Sequence, residues 1–343
     1  MFLNKLYCEV EYFPCPHLNQ IYEGFNILEK NGFIEVKLIK PKEMNSKKPI
    51  LRVKLNNKIN IIYDTLDGFN WRNEWDKKQN LEFFSNNYEC DFYFKRSFTE
   101  ELLEYNSLPR QVFPLGLNYD VFPNGKLSNI KEKIRYIISY FIESKKNQLG
   151  YKYFENPPIV NNETRILFLT RLWDPDQTSN LVYKRDRELI NENRVKCIEM
   201  CKKEFGDFFT GGLFHDSFSE KYAKNLCLSN KKTSKPSFLR SLQKHDICIN
   251  TLGLHNSTGW KFAEYIAASR AIISEPLIYG SPNLVENKNY INFTDPDNLI
   301  EGITYLFENK SKIMINNYHY YNNFVRPDSL IMNSLFLALN SNS

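Results

Sequence analysis

The sequence predicts an α/β fold in which two β-sheets, each covered by helices, form two domains. A length of 343 residues is about two domains' worth of chain. Apolar residues make up 42% of the sequence, so the chain can bury two ordinary cores. Residues 237–309 alternate helical and strand periodicity in a fixed order, which is typical of βαβα units with a parallel sheet.

The amino-terminal half begins with a predicted strand over residues 6–15 and a helix that Pro16 opens. Proline suits the first turn of a helix, and apolar residues follow at helical spacing until an Asn-Gly pair stops it. Three further strands are predicted over residues 34–40, 50–55 and 59–64. A last strand begins at Cys90 and enters a helix, with Ser97 or Thr99 as the predicted cap.

The loop after residues 59–64 gathers carboxylate and aromatic side chains at the carboxyl end of a strand. They are Asp64, Asp67, Trp71, Arg72 and Trp75. Aromatic rings beside carboxylates often hold sugar rings through stacking and hydrogen bonds. The alternative is that these residues only pack one end of the amino-terminal domain.

The carboxyl-terminal half opens with an apolar strand, residues 166–169, which ends at Thr170 and Arg171. An arginine at a strand's end can bind phosphate oxygens with its planar guanidinium. The alternative is an ion pair between Arg171 and Asp174 or Asp176. A long helix follows over residues 181–206. A strand then leads to a predicted turn at Gly211 and Gly212.

The remaining predicted elements are a helix over residues 237–245, a strand over 246–250, a helix that begins at Trp260, a strand over 271–274 and a last helix after residue 326. The loop from Leu254 to Gly259 therefore joins a strand's carboxyl end to a helix's amino end. Phosphate groups bind at such places, because the free amides and the positive end of the helix dipole attract anions.

Charge and composition exclude several classes of protein. The net charge is +5 with an isoelectric point near 8.6, and basic and acidic residues are interleaved, so no nucleic-acid partner is expected. The basic segment 47–58 is interpreted as an edge strand with solvated lysines, or as a contact with an anionic membrane.

The sequence shows no transmembrane stretch and no signal peptide. This predicts a cytoplasmic protein, and a location at the inner face of the membrane is left open. Seven scattered cysteines predict reduced thiols and no zinc site.

Two segments resemble one enzyme family. Residues 256–274, NSTGWKFAEYIAASRAIIS, resemble the carboxyl-terminal half of GT-B glycosyltransferases of the "glycosyl transferases group 1" type. Gly259 falls on that family's helix-opening glycine and Glu264 on its second glutamate, whereas Asn256 stands in place of the first glutamate. The segment QVFPLGLNYDVFPN, at 111–124, resembles the phrase that closes the family's amino-terminal half.

The resemblance implies a GT-B fold of two Rossmann-like β/α/β domains that face a central cleft. The implied segments are an acceptor-side domain over residues 1–125, a connecting helix and linker over 126–162, a donor domain over 163–325 and a helix over 326–343 that returns to the first domain. The implied activity is transfer of a hexose from a nucleotide diphosphate sugar to a hydroxyl of a glycan, glycolipid or protein. The nucleotide sugar is a co-substrate, and neither a metal nor another cofactor is expected.

The resemblance also assigns residues to the donor site. They are Arg171, Gly211, Gly212, His255, Asn256, Ser257, Thr258, Gly259, Trp260, Lys261 and Glu264. Arg171 would meet the diphosphate, with Lys184 or Arg185 as a possible second cation, and Glu264 would accept hydrogen bonds from the ribose. The alternative for Glu264 is a solvated carboxylate paired with Lys261. The candidates for the catalytic base are His17, Asp64 and Asp67.

Other interpretations stay open at this stage. Two Asp-Pro-Asp triplets, at 174–176 and 295–297, could bind a metal as in GT-A glycosyltransferases, although a helix cap explains the second one better. The segments HNSTGW and IYGSPN are also similar to fucosyltransferase motifs. Because Asn256 replaces an acid, a catalytically inactive protein that binds nucleotide sugars or serves as a scaffold is a further alternative.

Overall fold

The computed structural model describes residues 5–41, 48–73, 75–128, 134 and 149–341. Within them the chain forms two six-stranded sheets with helices packed against them. The predicted α/β class with two sheets is therefore confirmed. The connecting helix expected within residues 126–162 lies mostly outside the described residues.

The first sheet is mixed and has the strand order β2-β1-β3-β4-β5-β6. Its strands are β1 (Leu6–Glu11), β2 (Ile34–Ile39), β3 (Ile50–Leu55), β4 (Ile59–Asp64), β5 (Phe92–Lys95) and β6 (Gln111–Pro114). Strand β3 runs antiparallel to both β1 and β4, whereas the other pairs are parallel. The basic segment thus forms an interior strand, and the prediction of an edge strand is wrong. A basic strand can lie inside the sheet because its side chains alternate between the two faces. Leu51, Val53 and Leu55 are buried, while Arg52 and Lys54 face solvent.

The second sheet is entirely parallel, with the order β12-β11-β10-β7-β8-β9. Its strands are β7 (Ile166–Thr170), β8 (Phe209–Phe214), β9 (Cys227–Leu228), β10 (Ile247–Asn250), β11 (Ala271–Ser274) and β12 (Ile291–Asn292). The central strands β7, β10 and β11 are buried along their whole length, because helices cover both faces of a parallel sheet.

The α-helices of the described residues include the predicted ones. They are α1 (Asn19–Lys30), α2 (Lys77–Asn86), α3 (Glu101–Glu104), α4 (Leu181–Phe205), α5 (Ser217–Ala223), α6 (Asn230–Thr233), α7 (Lys235–Lys244), α8 (Trp260–Ala267), α9 (Pro296–Tyr320) and α10 (Pro327–Asn340). A short 3-10 turn, Pro16–Leu18, precedes α1, and a π-helical segment, Tyr321–Val325, joins α9 to α10. In the described part of the chain, no helix has the length and apolar character needed to cross a membrane.

Helix α10 leaves the second sheet and packs on α1 beside the first sheet. Leu330 and Ile331 are buried in the core that α1 and the first sheet share. The Tyr63 hydroxyl lies 2.7 Å from Ser334 Oγ, which ties β4 to α10. A side chain at Gly24 would overlap the backbone of Pro327, so glycine permits this close approach. The carboxyl terminus therefore stabilises the first half of the molecule.

All seven cysteines lie in the described residues and are free thiols. Six are buried and Cys227 is half-buried. Burial raises the pKa of the Cys8 and Cys201 thiols to about 12, so these thiols stay protonated and pack as small apolar side chains.

Candidate functional site

The two sheets meet where the loop between β10 and α8 contacts the carboxyl edge of the first sheet. Asn70 Nδ2 lies 3.0 Å from His255 Nε2, and the Arg96 guanidinium donates to the carbonyl of Thr258. The rings of His17 and Trp260 are 4.9 Å apart between centroids. The cleft is thus bordered by residues from both halves of the chain, as a ligand site between two α/β sheets requires.

The loop before α8 has an unusual backbone at His255 and Asn256. Their φ angles are 59° and 55°, in the left-handed region that histidine and asparagine tolerate better than most residues. The Tyr279 hydroxyl donates to the carbonyl of His255 over 2.9 Å, and the Tyr183 ring packs edge-on against the imidazole at 5.1 Å. These contacts fix the direction in which the chain enters α8.

Helix α8 begins with an amino end that is open to a ligand. Gly259 is the N-cap and supplies no side-chain acceptor for the first amides of the helix. The space where a side chain of Gly259 would lie is empty out to 4 Å. Ser257 and Thr258 are buried just before it. Free amides with open space before them form a site for an anion when cations lie nearby.

Two cations from different elements meet at one aromatic ring beside this helix end. Arg171 follows β7 and is exposed, and its Cζ lies 5.8 Å from the centroid of the Phe214 ring. Lys261 belongs to the first turn of α8, and its Nζ lies 4.6 Å from the same centroid. The structure therefore brings Arg171 and Lys261 together at the carboxyl edge of the second sheet.

Lys261 is unusual among the lysines because burial lowers its pKa to about 7. The cations Arg194, Arg171 and Lys235 lower the pKa further, and Glu264 opposes them. The ammonium group donates to the carbonyl of Leu169 at the end of β7. This environment holds more positive than negative charge, so a bound anion would favour the protonated lysine.

Glu264 is buried and pairs with Lys235. Its Oε1 lies 2.5 Å from the Lys235 Nζ, whose ammonium also lies 4.8 Å from the centroid of the Phe154 ring. The alternative of a solvated carboxylate paired with Lys261 is therefore wrong. Sequence reasoning missed Lys235, because it lies 29 positions from Glu264 and opens a different helix, α7.

The prediction of a turn at Gly211 and Gly212 is wrong. Both lie inside β8, opposite Phe168 and Leu169 of β7. A side chain on Gly211 would overlap the Phe209 ring, so the glycines allow close packing within the strand. Phe214, the last residue of β8, reaches the cleft, where its ring contacts Arg171 and Lys261. Sequence periodicity alone did not distinguish a Gly-Gly turn from a buried strand.

Asp64 is a structural carboxylate and does not fit the predicted role of a catalytic base. It is completely buried, and its Oδ2 accepts hydrogen bonds from Trp71 Nε1 at 2.8 Å and the Tyr93 hydroxyl at 2.5 Å. Its Oδ1 accepts from the amide of Leu66 at 2.8 Å and lies 3.2 Å from Lys95 Nζ. Four donors occupy the carboxylate, so it cannot reach an acceptor hydroxyl.

Of the two tryptophans in the loop after β4, Trp71 is buried and Trp75 is exposed. Trp71 is only 2% exposed and stacks on Phe84, so it packs the domain as the structural alternative held. Trp75 is exposed, and the Arg72 guanidinium lies 6.0 Å from its ring centroid and 4.7 Å from that of Phe83.

Asp67 and His17 lie at the cleft and remain candidates for the base. Asp67 is ion-paired with Arg96, and its side chain is 37% exposed. Burial lowers the pKa of His17, Asp67 raises it and Arg96 lowers it. In the described part of the chain, the buried Nδ1 of His17 has no hydrogen-bond partner. A neutral imidazole with a free nitrogen can accept a proton.

Arg194 is a further residue that sequence reasoning missed. This buried arginine donates to the carbonyls of Arg171 at 2.7 Å and Leu252 at 2.9 Å, and to Thr251 Oγ1 at 3.0 Å. Burial lowers its pKa to about 10. It fixes the backbone of Arg171 against the loop after β10, and so it orients the exposed guanidinium. It lies in the middle of the long helix α4, where nothing in the local pattern marks it.

The two other basic candidates and the two Asp-Pro-Asp triplets serve local structure. Lys184 pairs with Asp176 at 2.7 Å, and Arg185 pairs with Glu188 at 3.3 Å. Asp174 accepts a hydrogen bond from the amide of Asp176, and Asp295 caps α9, as expected of the second triplet. Among the residues that the structure describes, no group of three His, Cys, Asp or Glu side chains is placed to hold a metal ion.

Comparisons with known proteins give weak similarities to solved structures. No protein-family model matches the chain, and no curated protein matches it. HepE from Anabaena, solved with UDP-glucose, is 12% identical with a TM-score of 0.46, and 95% of each chain is covered. The carboxyl-terminal domain of LpcC from Francisella tularensis is 12% identical with a TM-score of 0.35 over 51% of this chain and 97% of that one.

A third similar structure is sucrose-phosphate synthase from Thermosynechococcus elongatus, which is 12% identical with a TM-score of 0.41. The match covers 82% of this chain and 68% of that one. LpcC is described as a glycosyl transferase group 1 family protein, which is the family that the sequence resembles.

Proposed function

We propose that this protein is a glycosyltransferase that moves a hexose from a nucleotide diphosphate sugar to a hydroxyl of a glycan, glycolipid or protein. The observation that carries the proposal is the meeting of Arg171 and Lys261 at the Phe214 ring, beside the open amino end of α8. Two cations and a set of free amides at a sheet's carboxyl edge suit a diphosphate.

The same groups would also stabilise the leaving group. When the bond between the sugar's anomeric carbon and the phosphate oxygen breaks, negative charge grows on the nucleoside diphosphate. The Arg171 guanidinium, the Lys261 ammonium and the α8 amides lie where that charge would form. Fixed positive groups in a partly buried site stabilise such charge strongly. Since the chain supplies these cations itself, the proposed transfer does not depend on a metal.

In this proposal Glu264 binds the ribose. Lys235 occupies its Oε1, which leaves the other carboxylate oxygen to accept a hydrogen bond from a ribose hydroxyl. Lys235 thereby sets the orientation of a buried carboxylate that would otherwise be free to rotate. His255 and Asn256 would lie toward the sugar, since they precede Ser257–Trp260, the part of the loop that would meet the diphosphate.

The acceptor hydroxyl would approach from the side of the first sheet. His17 is held against Trp260 at the start of α8, and burial lowers its pKa, which favours the neutral imidazole. A neutral imidazole there can take the proton of the hydroxyl as the oxygen bonds to the anomeric carbon. Asp67 is the second candidate, because its exposed carboxylate lies on the same side of the cleft.

Isothermal titration of the full chain with UDP-, GDP- and ADP-sugars tests the donor site. We expect binding of one base class, retained in EDTA. Failure of all three nucleotide sugars to bind would contradict the proposal. Preference for the GDP-sugar would favour the fucosyltransferase-like alternative.

A transfer assay then separates an enzyme from an inactive binding protein. The donor that binds is incubated with a set of hydroxyl acceptors, and release of the nucleoside diphosphate is followed. Release of the nucleoside diphosphate that depends on an acceptor would support the proposed transferase activity. Tight binding with neither hydrolysis nor transfer would support the inactive alternative, which the exposed Asn256 in place of an acid favours.

A further inference from the structure

Arg96 joins the two halves of the cleft. It directly follows β5 of the first sheet, and it is only 7% exposed. Its Nη1 pairs with the carboxylate of Asp67, and its Nη2 donates to the carbonyl of Thr258 in the loop before α8. One planar guanidinium therefore holds an acceptor-side carboxylate and the donor-side loop at the same time.

We propose that Arg96 is a positioning residue that aligns Asp67 with the donor loop, so that the acceptor side is ordered only while the two sheets are docked. The proposal rests on the proposed function, because it takes Ser257–Trp260 as the segment that meets the donor. Arg96 itself would touch neither the diphosphate nor the sugar.

The two residues next to Arg96 in the chain, Lys95 and Ser97, hold the backbone of the loop after β4. Lys95 donates to the carbonyl of Leu66 at 2.7 Å, and Ser97 Oγ accepts from the amide of Gly68 at 2.9 Å. Ser97 thus holds this loop instead of capping α3, whose N-cap is Glu100. The backbone on both sides of Asp67 is therefore anchored within the first sheet. The Asp67 side chain is what depends on Arg96.

The junction around Arg96 is polar and narrow. A cavity of about 10 Å³, large enough for one water molecule, lies beside Arg96, Thr258 and Tyr279. The amide of Gly280 donates to the carbonyl of Phe98 over 2.9 Å in an isolated β-bridge between the halves. Polar contacts of this kind between domains permit relative motion, so a docked and an undocked arrangement can exchange.

A bound donor would therefore act on Asp67 through Thr258. A diphosphate on the amides after Thr258 would fix that carbonyl, and the carbonyl would fix the Nη2 edge of Arg96. The other edge of the same rigid group then holds Asp67 in one orientation. When the sheets separate, Arg96 loses its second acceptor and the ion pair is left to solvent.

The test compares Arg96→Gln and Arg96→Lys with the control Arg110→Gln. Arg110 is also a buried arginine of the first half, but it donates to the carbonyls of Phe84, Asn87 and Tyr88, all within that half. We expect Arg96→Gln to lower kcat about 100-fold with donor Kd changed less than about threefold, because misplacement of a group near the reaction affects chemistry. Arg96→Lys should recover part of kcat, and Arg110→Gln should leave kcat within about threefold.

Hydrogen–deuterium exchange of the free protein gives a readout that needs no activity. We expect Arg96→Gln to raise exchange in 257–260, whereas 66–70 stays protected by its contacts with Lys95 and Ser97, and Arg110→Gln to raise exchange only around residues 84–88. Unchanged exchange in 257–260, or a loss of donor affinity as large as the loss of kcat, would overturn the proposal. If the unmodified chain binds no nucleotide sugar, the proposed function fails, while the exchange pattern still decides whether Arg96 holds the loop before α8.

Discussion

The carboxyl edges of the two sheets differ in how completely their charges are satisfied. At the first sheet, Asp64 accepts four hydrogen bonds, one of them from the buried Lys95. At the second sheet, Arg171 and Lys261 share one aromatic ring, and among the described residues no carboxylate forms an ion pair with Lys261, whose pKa burial lowers. The first edge is complete as a folded structure, whereas the second has an excess of positive charge beside an open helix end.

Under the proposed function, this difference separates charges that stabilise the fold from charges that would bind the donor. A buried charge that folding alone must satisfy is surrounded by partners in the same domain. A charge kept for a ligand lies partly buried and short of counter-charge, because the ligand supplies the missing partner. Asp67, three residues after Asp64, is intermediate, since one cation from its own sheet holds it and its side chain remains 37% exposed.

The largest expected effect is on stability, from Asp64→Asn. This change leaves the buried Lys95 ammonium without its charged partner, which should cost about 3–5 kcal/mol of the free energy of unfolding. Asp67→Asn is the matched control, and we expect it to cost less than about 1 kcal/mol because the pair is partly exposed. Urea unfolding measures both. Equal losses would mean that the two carboxylates do not differ as described.

The next effect is on donor binding, from Arg171→Gln. Loss of a charge-assisted contact to the diphosphate should weaken binding by about 1.5–3 kcal/mol, with little change in stability since the side chain is exposed. Lys184→Gln is the control, because Lys184 is tied to Asp176 away from the Phe214 ring. Calorimetric titration with the intact nucleotide sugar measures the donor affinity of both variants. A weaker donor complex in the Lys184 variant would place the second cation there instead.

The smallest effect is a pH dependence of donor affinity. The Lys261 pKa is lowered to about 7 in the free protein, so above pH 7 the lysine is largely neutral and must take up a proton to meet the diphosphate. Affinity should then fall by up to about tenfold per pH unit between pH 7 and 9. Burial is the main cause of this low pKa, and the charged groups that modify it are Glu264, Arg194, Arg171 and Lys235.

Calorimetry in buffers of different ionisation enthalpy measures the proton uptake directly. We expect close to one proton at pH 8 for the unmodified chain and for Lys184→Gln. Lys261→Met should remove both the uptake and the slope. An uptake that survives this substitution would assign the proton to another group.

The order of elements could be predicted because it depends on local chemistry. The apolar run of β7 and the helical spacing of Phe262 and Ile266 each identify one element within a few residues. The open helix start at Gly259 is also local, since a glycine cap after a strand and loop is readable in the chain. These signals can be read from the sequence without knowing which residues contact the element in the folded structure.

The errors occurred where two distant segments decide the outcome. A Gly-Gly pair has the same local preference in a turn and in a tightly packed strand. Pairing with β7 and close contact with Leu226 and Leu228 place Gly211 and Gly212 in β8. Asp64 and Asp67 look alike in sequence. Tyr93 and Lys95, about thirty positions away, make one of them structural.

The sequence by itself determined the two-sheet α/β class, the position of the loop before α8 and the presence of Arg171 at the end of a strand. Tertiary structure alone decided which charges meet, because Lys235 reaches Glu264, Arg194 fixes Arg171 and Arg96 spans Asp67 and Thr258 across long intervals of chain. Charge pairing depends on distance in space and on burial, and neither is encoded in the spacing of neighbouring residues.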